Sequence, residues 1–302
     1  MRKYHFERLK DKQGGILSFV EYRKAGFKCV YGAMLAFLFI CLFASLFPLF
    51  FLAVQSFKSV EEITSLDFHF FPSSFDIGKI ADVWNSVNLG VYFLNSLIIV
   101  CLSVVAAVLF NGLLAYGVSI VRPAGSRIVY LLVLGSYMIP TVLSSIPLFA
   151  MLAALKLTSG LWPYAILPLT FGANAFYFIN FKNYFDRIPR ELVEAMRVDG
   201  AGEFTIFFRL VVPLAAPIVG IVAIFAVSAS WSDYLLPSLL LTQDSMQTIM
   251  VKLVSLQTSR PAGFTDDMML MCLLLSILPQ IALFLIFEKQ ITAGGTDGAV
   301  KG

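Results

Sequence analysis

The residues best suited to chemistry lie in one short charged segment, 186–209, between two long apolar runs. Its centre reads Glu194, Ala195 and Met196, then Asp199, Gly200 and Ala201. Charged side chains at the centre of a bilayer cost at least ~2.5 kcal/mol each, so this segment must lie at a membrane face or in water. Its carboxylates and arginines are not spaced for catalysis; they are suited to ion pairs with another surface.

The segment around Glu194 has the sequence features of a helix, a turn and a second helix. Pro189 is suited to a first helical turn, and Leu192, Ala195 and Met196 form an apolar stripe between charged neighbours. Gly200 permits the positive φ that ends a helix, and a second helix is expected from about Ala201. Two interpretations follow from the residues alone: a helix that docks in a groove of a partner protein, or a helix that lies on the inner leaflet.

Other kinds of functional site find no support in the sequence. The phosphate-binding pattern G-x-x-x-x-G-K-[ST] does not occur, which excludes ATP binding by that route. The two histidines and four cysteines have no ligand spacing, so we expect no metal site, no bound cofactor and no catalytic residue. The net charge of +3 does not indicate a nucleic-acid partner.

The composition predicts the elements that must position the charged segment. Of 302 residues, 59% are hydrophobic and 14% are charged, and the mean hydropathy is +0.84. These values are typical of an integral membrane protein. Because apolar runs of about 20 residues span a bilayer as helices, we predict an all-α polytopic protein with about six spans. The runs are 29–54, 90–121, 128–155, 161–184, 210–241 and 268–287.

Basic residues give the orientation. They are concentrated in 1–28, in the connection after the second run, in 186–209 and in the carboxyl tail, so the positive-inside rule places both termini and the Glu194 segment in the cytoplasm. The predicted organisation is a cytoplasmic segment 1–28, a first helix 29–54, an external segment 55–89, a core domain 90–288 and a cytoplasmic tail 289–302. Short amphipathic surface helices are expected in the external segments, around 77–87 and 249–256.

Polar residues inside the runs are candidates for a hydrated pathway. Amide, hydroxyl, indole and carboxylate groups bind hydroxyl-rich solutes by hydrogen bonds and stacking. The alternative is that they join helices to one another within the protein. The candidates are Asn95, Asn174, Ser230, Trp231 and Asp233.

The Glu194 segment resembles the "EAA" loop of permeases of binding-protein-dependent ABC importers, with Leu210, Pro213 and Pro217 following at the expected distance. Met196 stands at the third alanine of the pattern. Further segments resemble the carbohydrate branch, in particular the second permease of maltose-type systems. They are Ser56–Phe57–Lys58, Asn95–Ser96–Leu97, Ala115–Tyr116–Gly117, Met138–Ile139–Pro140, Trp231–Ser232–Asp233–Tyr234 and the tail Gly295 to Gly302.

The resemblance implies a type I ABC importer permease in a bacterial cell membrane, forming half of a pathway for a sugar or oligosaccharide. It implies a second permease, two ABC ATPase subunits that bind ATP and Mg²⁺, an extracellular or periplasmic solute-binding protein, and membrane lipid around the spans. Glu194 with its neighbours Ala195, Met196, Asp199, Gly200 and Ala201 would dock on an ATPase subunit, and the tail residues Ala299, Val300, Lys301 and Gly302 would contact the ATPases.

Three alternatives remain at this stage. A permease for glycerol phosphate or a polyamine would share the docking loop. A secondary carrier usually needs charged residues inside its spans and an internal repeat, and a membrane enzyme needs a catalytic constellation. The interiors of the six runs contain almost no charged residues.

Overall fold

The computed structural model describes residues 25–67 and 69–296, with side chains described for 29–67 and 69–286. The chain divides into two compact units, Met1–Ser74 and Phe75–Gly302. Most of the predicted segment 1–28, and the tail residues Ala299, Val300, Lys301 and Gly302, lie outside the described residues. Within the described ranges every regular element is a helix, which confirms the all-α prediction.

The first unit is one long apolar helix followed by a short capped helix. Helix α1, Ala25–Gln55, contains the predicted first span, and α2, Val60–Thr64, begins at Ser59. The Ser59 side chain accepts a hydrogen bond from the Glu62 amide, and the Glu62 carboxylate accepts one from the Ser59 amide, which satisfies two free donors at the helix start. Hydrogen bonds from Ser73 and Ser59 lower the pKa of Glu62 to about 2.

The second unit begins with a short surface helix and continues with the helices of the membrane core. The sequence predictions of amphipathic helices near 77–87 and 249–256 are confirmed by α3 and α14. The helices are α3 Gly78–Ser86, α4 Leu89–Tyr116, α5 Ser126–Tyr137, α6 Thr141–Ala154, α7 Trp162–Gly172, α8 Ala175–Phe185, α9 Arg190–Val198, α10 Glu203–Ile206, α11 Val212–Leu214, α12 Ala216–Ser232, α13 Leu235–Leu240, α14 Ile249–Thr258 and α15 Asp266–Thr296.

Helix α4 is the centre of this unit, because α7, α8 and α12 all pack along it. The approach to α7 is close: a Cβ at Gly172 would lie 2.5 Å from the Cβ of Ala106 and 2.9 Å from the backbone nitrogen of Ala107. The buried Asn111 amide donates to the carbonyl of Gly172 at 2.6 Å and to that of Ala107 at 2.7 Å. Asn111 therefore gives the Gly172 carbonyl a second partner beside the Asn174 amide, which donates to it at 3.0 Å, and joins α4 to the end of α7.

Three of the predicted spans are continuous and three are interrupted. Continuous apolar helices cover Cys29–Gln55, Leu89–Val121 and Asp266–Ile286. The run 128–155 is bent by 103° between α5 and α6, and the run 210–241 belongs to a pair bent by 83° between α11 and α12. Counting each bent pair as one span gives up to five among the described residues.

The predicted run 161–184 is broken into α7 and α8 at Ala173 and Asn174. The Asn174 side chain accepts a hydrogen bond from the Phe176 amide at 2.8 Å, so it caps α8 instead of continuing α7. The count of about six spans therefore depends on these two half-length helices crossing as one span.

Candidate functional site

The Glu194 segment forms two short helices joined by a glycine turn. Helix α9 begins after Pro189, and its end is closed by hydrogen bonds from the Gly200 amide to the Arg197 carbonyl at 3.0 Å and from the Ala201 amide to the Met196 carbonyl at 2.9 Å. This pair of bonds is the Schellman motif, which requires a left-handed residue. Gly200 supplies it with φ of +81°, as predicted from the sequence.

The side of α9 that packs on the protein differs from the predicted stripe. Val193 is buried and Met196 is half-buried, and both belong to an apolar core with Phe185, Ile206 and Phe207. Leu192 and Ala195 are exposed, so the predicted stripe of Leu192, Ala195 and Met196 lies mostly on the outer side of α9, and its part in docking stays a prediction. Val193 was overlooked, although Met196 follows it at helical spacing on the same face.

Exposed apolar and charged side chains lie side by side on the outer surface of these two helices. Val198 is 86% exposed and Phe204 is 72% exposed. Glu194 is also exposed, and it lines a cleft of ≈ 90 Å³ with Arg190 and Arg197. Among the described contacts Glu194 has no ion-pair partner. An exposed carboxylate beside exposed apolar side chains is suited to docking on another protein.

A second set of side chains ties the Glu194 segment to α4. The Tyr116 hydroxyl donates to one carboxylate oxygen of Glu203, and the Arg197 Nε donates to the other at 2.9 Å. The hydrogen bond to Glu203 raises the pKa of Arg197. Tyr116 is buried and its ring also packs edge-on against Phe207 at 5.3 Å. We call Tyr116, Glu203 and Arg197 the Tyr116 cluster.

The five pathway candidates are engaged with their own chain in different places. Asn95 donates to the carbonyls of Ser245 and Gln247 at 2.9 and 3.0 Å, and the buried Trp231 donates to the Ser276 carbonyl at 3.1 Å. Ser230 donates to Ala226 one turn earlier on α12.

The other two candidates act at helix starts. Asn174 caps α8, and Asp233 accepts a hydrogen bond from the Leu235 amide at 3.2 Å. No hydrogen bond between any two of the five occurs among the described contacts. These bonds favour the structural interpretation for Asn95, Ser230 and Trp231, while their proposed place in a pathway stays a prediction.

Similarity to known proteins decides the class of this chain. Residues 108–291 match the family described as the binding-protein-dependent transport system inner membrane component. The chain belongs to this family. It is a multi-pass membrane permease subunit, and its partners are other subunits of a transporter complex.

Similar proteins include sugar transport permeases. The arabinooligosaccharides transport system permease protein AraQ of Bacillus subtilis is 32% identical over 260 residues, which cover 85% of this chain and 91% of that protein. The melibiose/raffinose/stachyose import permease protein MelC of Bacillus subtilis is 30% identical over 86% of this chain and 92% of its own length.

The fold has a counterpart among solved structures. It matches a chain of a bacterial ABC transporter involved in the import of the acidic polysaccharide alginate, with a TM-score of 0.74 and 20% identity over 91% of this chain and 99% of that one. The predicted ABC importer permease fold is thus confirmed.

The functional candidates of this permease that sequence analysis missed are Tyr116 and Glu203. Tyr116 was noted only as part of a family-like segment, and Glu203 only as one charge among several. They lie 87 positions apart in the chain. The available signal was a tyrosine near the end of the apolar run 90–121. Its partner could not be chosen without the tertiary structure.

Proposed function

We propose that this permease forms half of the translocation pathway of an ATP-driven importer for a sugar or oligosaccharide. The observation that carries the proposal is the exposed docking surface of α9 and its glycine turn in a member of this family. A surface with an exposed carboxylate and exposed apolar side chains outside the apolar runs serves a soluble partner better than it serves a lipid face. ATP hydrolysis and Mg²⁺ binding are assigned to partner ATPase subunits, and this chain binds no cofactor.

The sugar substrate is supported by two features. The similar permeases carry names of saccharides, which include arabinooligosaccharides, melibiose, raffinose and polygalacturonan. The described span helices Leu89–Val121 and Ala216–Ser232 contain no charged residue, whereas a phosphate or polyamine substrate favours charged partners in the pathway.

The complete assembly follows from the same proposal. A second permease supplies the other half of the pathway, two ABC ATPase subunits bind from the cytoplasm, and a solute-binding protein delivers the sugar from outside. Both chain termini and the segment 186–209 are then cytoplasmic, and the segment 242–267 is external. The tail residues 299–302 contact the ATPases.

The test is reconstitution of the four components in vesicles, with uptake of labelled oligosaccharides and ATP hydrolysis measured together. We expect Glu194→Ala to reduce uptake at least tenfold, because it removes the charge at the docking surface. The matched control is Glu191→Ala, an exposed carboxylate one turn earlier on α9, which we expect to keep uptake within twofold. Uptake without ATPase, normal uptake in Glu194→Ala, or uptake restricted to solutes that are not saccharides would contradict the proposal.

A further inference from the structure

Helix α4 carries a second cluster of a tyrosine, a carboxylate and a cation at its other end. The buried Tyr92 donates from its hydroxyl to Asp244 Oδ2 at 2.7 Å, and Lys252 Nζ binds Asp244 Oδ1 at 2.8 Å. The Lys252 ammonium lies 4.8 Å from the centre of the Tyr92 ring. We call Tyr92, Asp244 and Lys252 the Tyr92 cluster. In both clusters a buried tyrosine of α4 holds a carboxylate from a distant segment, and a cation holds the same carboxylate.

The two clusters are joined by one continuous helix. Tyr92 and Tyr116 both lie within α4, Leu89–Tyr116. They are about 24 positions apart, which corresponds to ~36 Å along a helix. Between them, the close contact of Gly172 with Ala106 and Ala107 and the hydrogen bond from Asn111 fix α4 against α7. A helix with intact hydrogen bonds that is packed on its neighbours moves as a rigid element, so a displacement at one end reaches the other.

Each tyrosine is placed to act through its hydroxyl alone. Tyr116 is 5% exposed and Tyr92 is 4% exposed, so neither can present a surface to a partner protein. Without its hydroxyl, Tyr116 would keep the ring contact with Phe207 at 5.3 Å. Glu203 is half-exposed, and water can replace the lost bond. Removing this hydroxyl therefore breaks the hydrogen bond between α4 and Glu203 while the ring packing remains, and it leaves no buried polar group unpaired.

We propose that the Tyr116 cluster makes the Glu194 segment and α4 move as one body, and that the Tyr92 cluster passes this movement to the segment 242–248. Tyr116 and Tyr92 are positioning residues in this scheme. The proposal rests on the proposed function, because it is the ATPase subunits that move the Glu194 segment. It adds a physical connection between the ATPase side and the opposite face of the membrane within this single chain.

The deciding variant is Tyr116→Phe in the assembled importer. Its matched control is Tyr184→Phe, which removes a hydroxyl that donates to the Leu214 carbonyl at 2.8 Å and belongs to neither cluster. We expect Tyr116→Phe to keep ATP hydrolysis within twofold but to reduce sugar uptake per ATP about fivefold or more. The control Tyr184→Phe should keep both ATP hydrolysis and sugar uptake per ATP at the wild-type level. An unchanged ratio of uptake to ATP hydrolysis in Tyr116→Phe would overturn the proposal.

Amide hydrogen exchange on the full-length chain in the complex gives a second measurement that does not depend on the sugar. In Tyr116→Phe, we expect amides 199–206 to exchange about tenfold faster. In the wild type, ATP binding should change exchange in 242–248, and in Tyr116→Phe that response should disappear although every contact of 242–248 is intact.

The outcomes separate the two proposals. If no sugar is taken up by the wild type while the exchange results appear as expected, the proposed substrate fails and the connection stands. If 242–248 still responds to ATP in Tyr116→Phe, or 199–206 exchanges as in the wild type, the connection through α4 is wrong whatever the substrate.

Discussion

Each end of α4 is held by a tyrosine hydroxyl, a carboxylate and a cation, but the surroundings of the two clusters differ. Beside the Tyr92 cluster, the segment 244–249 is also held by Asn95, by Ser96 bonded to the Ile249 amide at 2.9 Å, and by Tyr164 bonded to the Met246 carbonyl at 3.0 Å. Within Arg190–Ile206, the described side-chain hydrogen bonds all involve Glu203. One segment is fixed by many side-chain hydrogen bonds, and the other by a single hydrogen-bonded cluster and a packed apolar face.

This difference suggests a division of work along one helix. A segment held by several hydrogen bonds keeps its geometry when one is lost, because the remaining bonds still define its position. A segment held by one cluster and a small packed face can move, but only together with the element to which the cluster binds it. The Glu194 segment has the second arrangement, which suits a surface that must follow a moving partner.

The largest effect is expected from a substitution packed against the middle of α4, because the packing there positions both ends of the helix. Gly172→Ala would place a Cβ 2.9 Å from the backbone of Ala106 and Ala107, which cannot move aside cheaply. Overpacking of this kind costs about 1–3 kcal/mol of unfolding free energy. Unfolding of the full chain in detergent, followed by circular dichroism against denaturant, measures it.

Gly112→Ala is the matched control on α4 itself. Its added Cβ would meet the Phe207 ring at 3.5 Å, an ordinary contact distance. We expect its unfolding midpoint to stay close to that of the wild type. Equal midpoints for Gly172→Ala and Gly112→Ala would show that the crossing of α4 and α7 does not anchor the two ends.

The second-largest effect is expected when the carboxylate of one cluster is removed, and it is compared with removal of the carboxylate of the other cluster. Glu203→Ala removes the side-chain hydrogen bonds described within Arg190–Ile206, and a hydrogen bond to a charged group is worth about 1.5–3 kcal/mol when intact. Because Glu203 is half-exposed, we expect the lower end of this range, or about tenfold faster amide exchange in 199–206. Asp244→Ala should accelerate exchange in 244–249 less than threefold, since four other hydrogen bonds remain. Equal acceleration of amide exchange in 199–206 and 244–249 would show that the two segments are held equally firmly.

Two glycines allow a smaller and closely matched comparison. Gly200 and Gly263 both have φ of +81°, and a Cβ at either would meet no atom within 4 Å. Alanine at either site therefore costs only backbone strain, about 1–2 kcal/mol. We expect Gly200→Ala to weaken ATPase binding in a pull-down titration and Gly263→Ala to leave it unchanged. Gly200→Asn should recover part of the loss, because asparagine tolerates the left-handed conformation better.

The sequence predicted the elements better than it predicted their connections. The spans, the positive φ of Gly200 and the two amphipathic helices depend on local pattern and on the energetics of apolar burial, which act within a few turns of chain. The break at Ala173 and Asn174 lies in an apolar run with no proline at that point. It depends on the Asn174 cap and on Asn111, which lies on another helix.

The clusters at the two ends of α4 could not be predicted from the sequence either, because their members come from distant parts of the chain. Glu194 and Gly200 were found because they are adjacent in a charged segment. Tyr92 and Asp244 are 152 positions apart, and only packing of the helices brings them together. Asn95 was assigned to a pathway because of its polarity, while its two bonds to the segment 245–247 required the tertiary structure.

The smallest expected effect concerns the pH dependence of the Tyr92 cluster. Hydrogen bonds from Lys252 and Tyr92 lower the pKa of Asp244. Burial opposes the charge on Lys252, but the bonds to Asp244 and Tyr92 outweigh it and raise the pKa of that ammonium. A lowered carboxylate pKa stabilises the folded segment fully above the ordinary value of about 3.9, and this contribution is lost as the pH falls through the lowered value. A raised lysine pKa stabilises it below about 10.4, and that contribution is lost as the pH rises through the raised value.

The segment 242–248 should therefore keep constant order between about pH 5 and pH 9 and loosen beyond both limits. A nitroxide attached at position 243, which is exposed, would report its mobility by electron paramagnetic resonance. Asp244→Asn should remove the loss of order at low pH while every other carboxylate of the chain remains, so that loss can be assigned to Asp244. If the mobility of the nitroxide still rises at low pH in Asp244→Asn, then the several neutral hydrogen bonds, and not the charged cluster, determine the order of this end of α4.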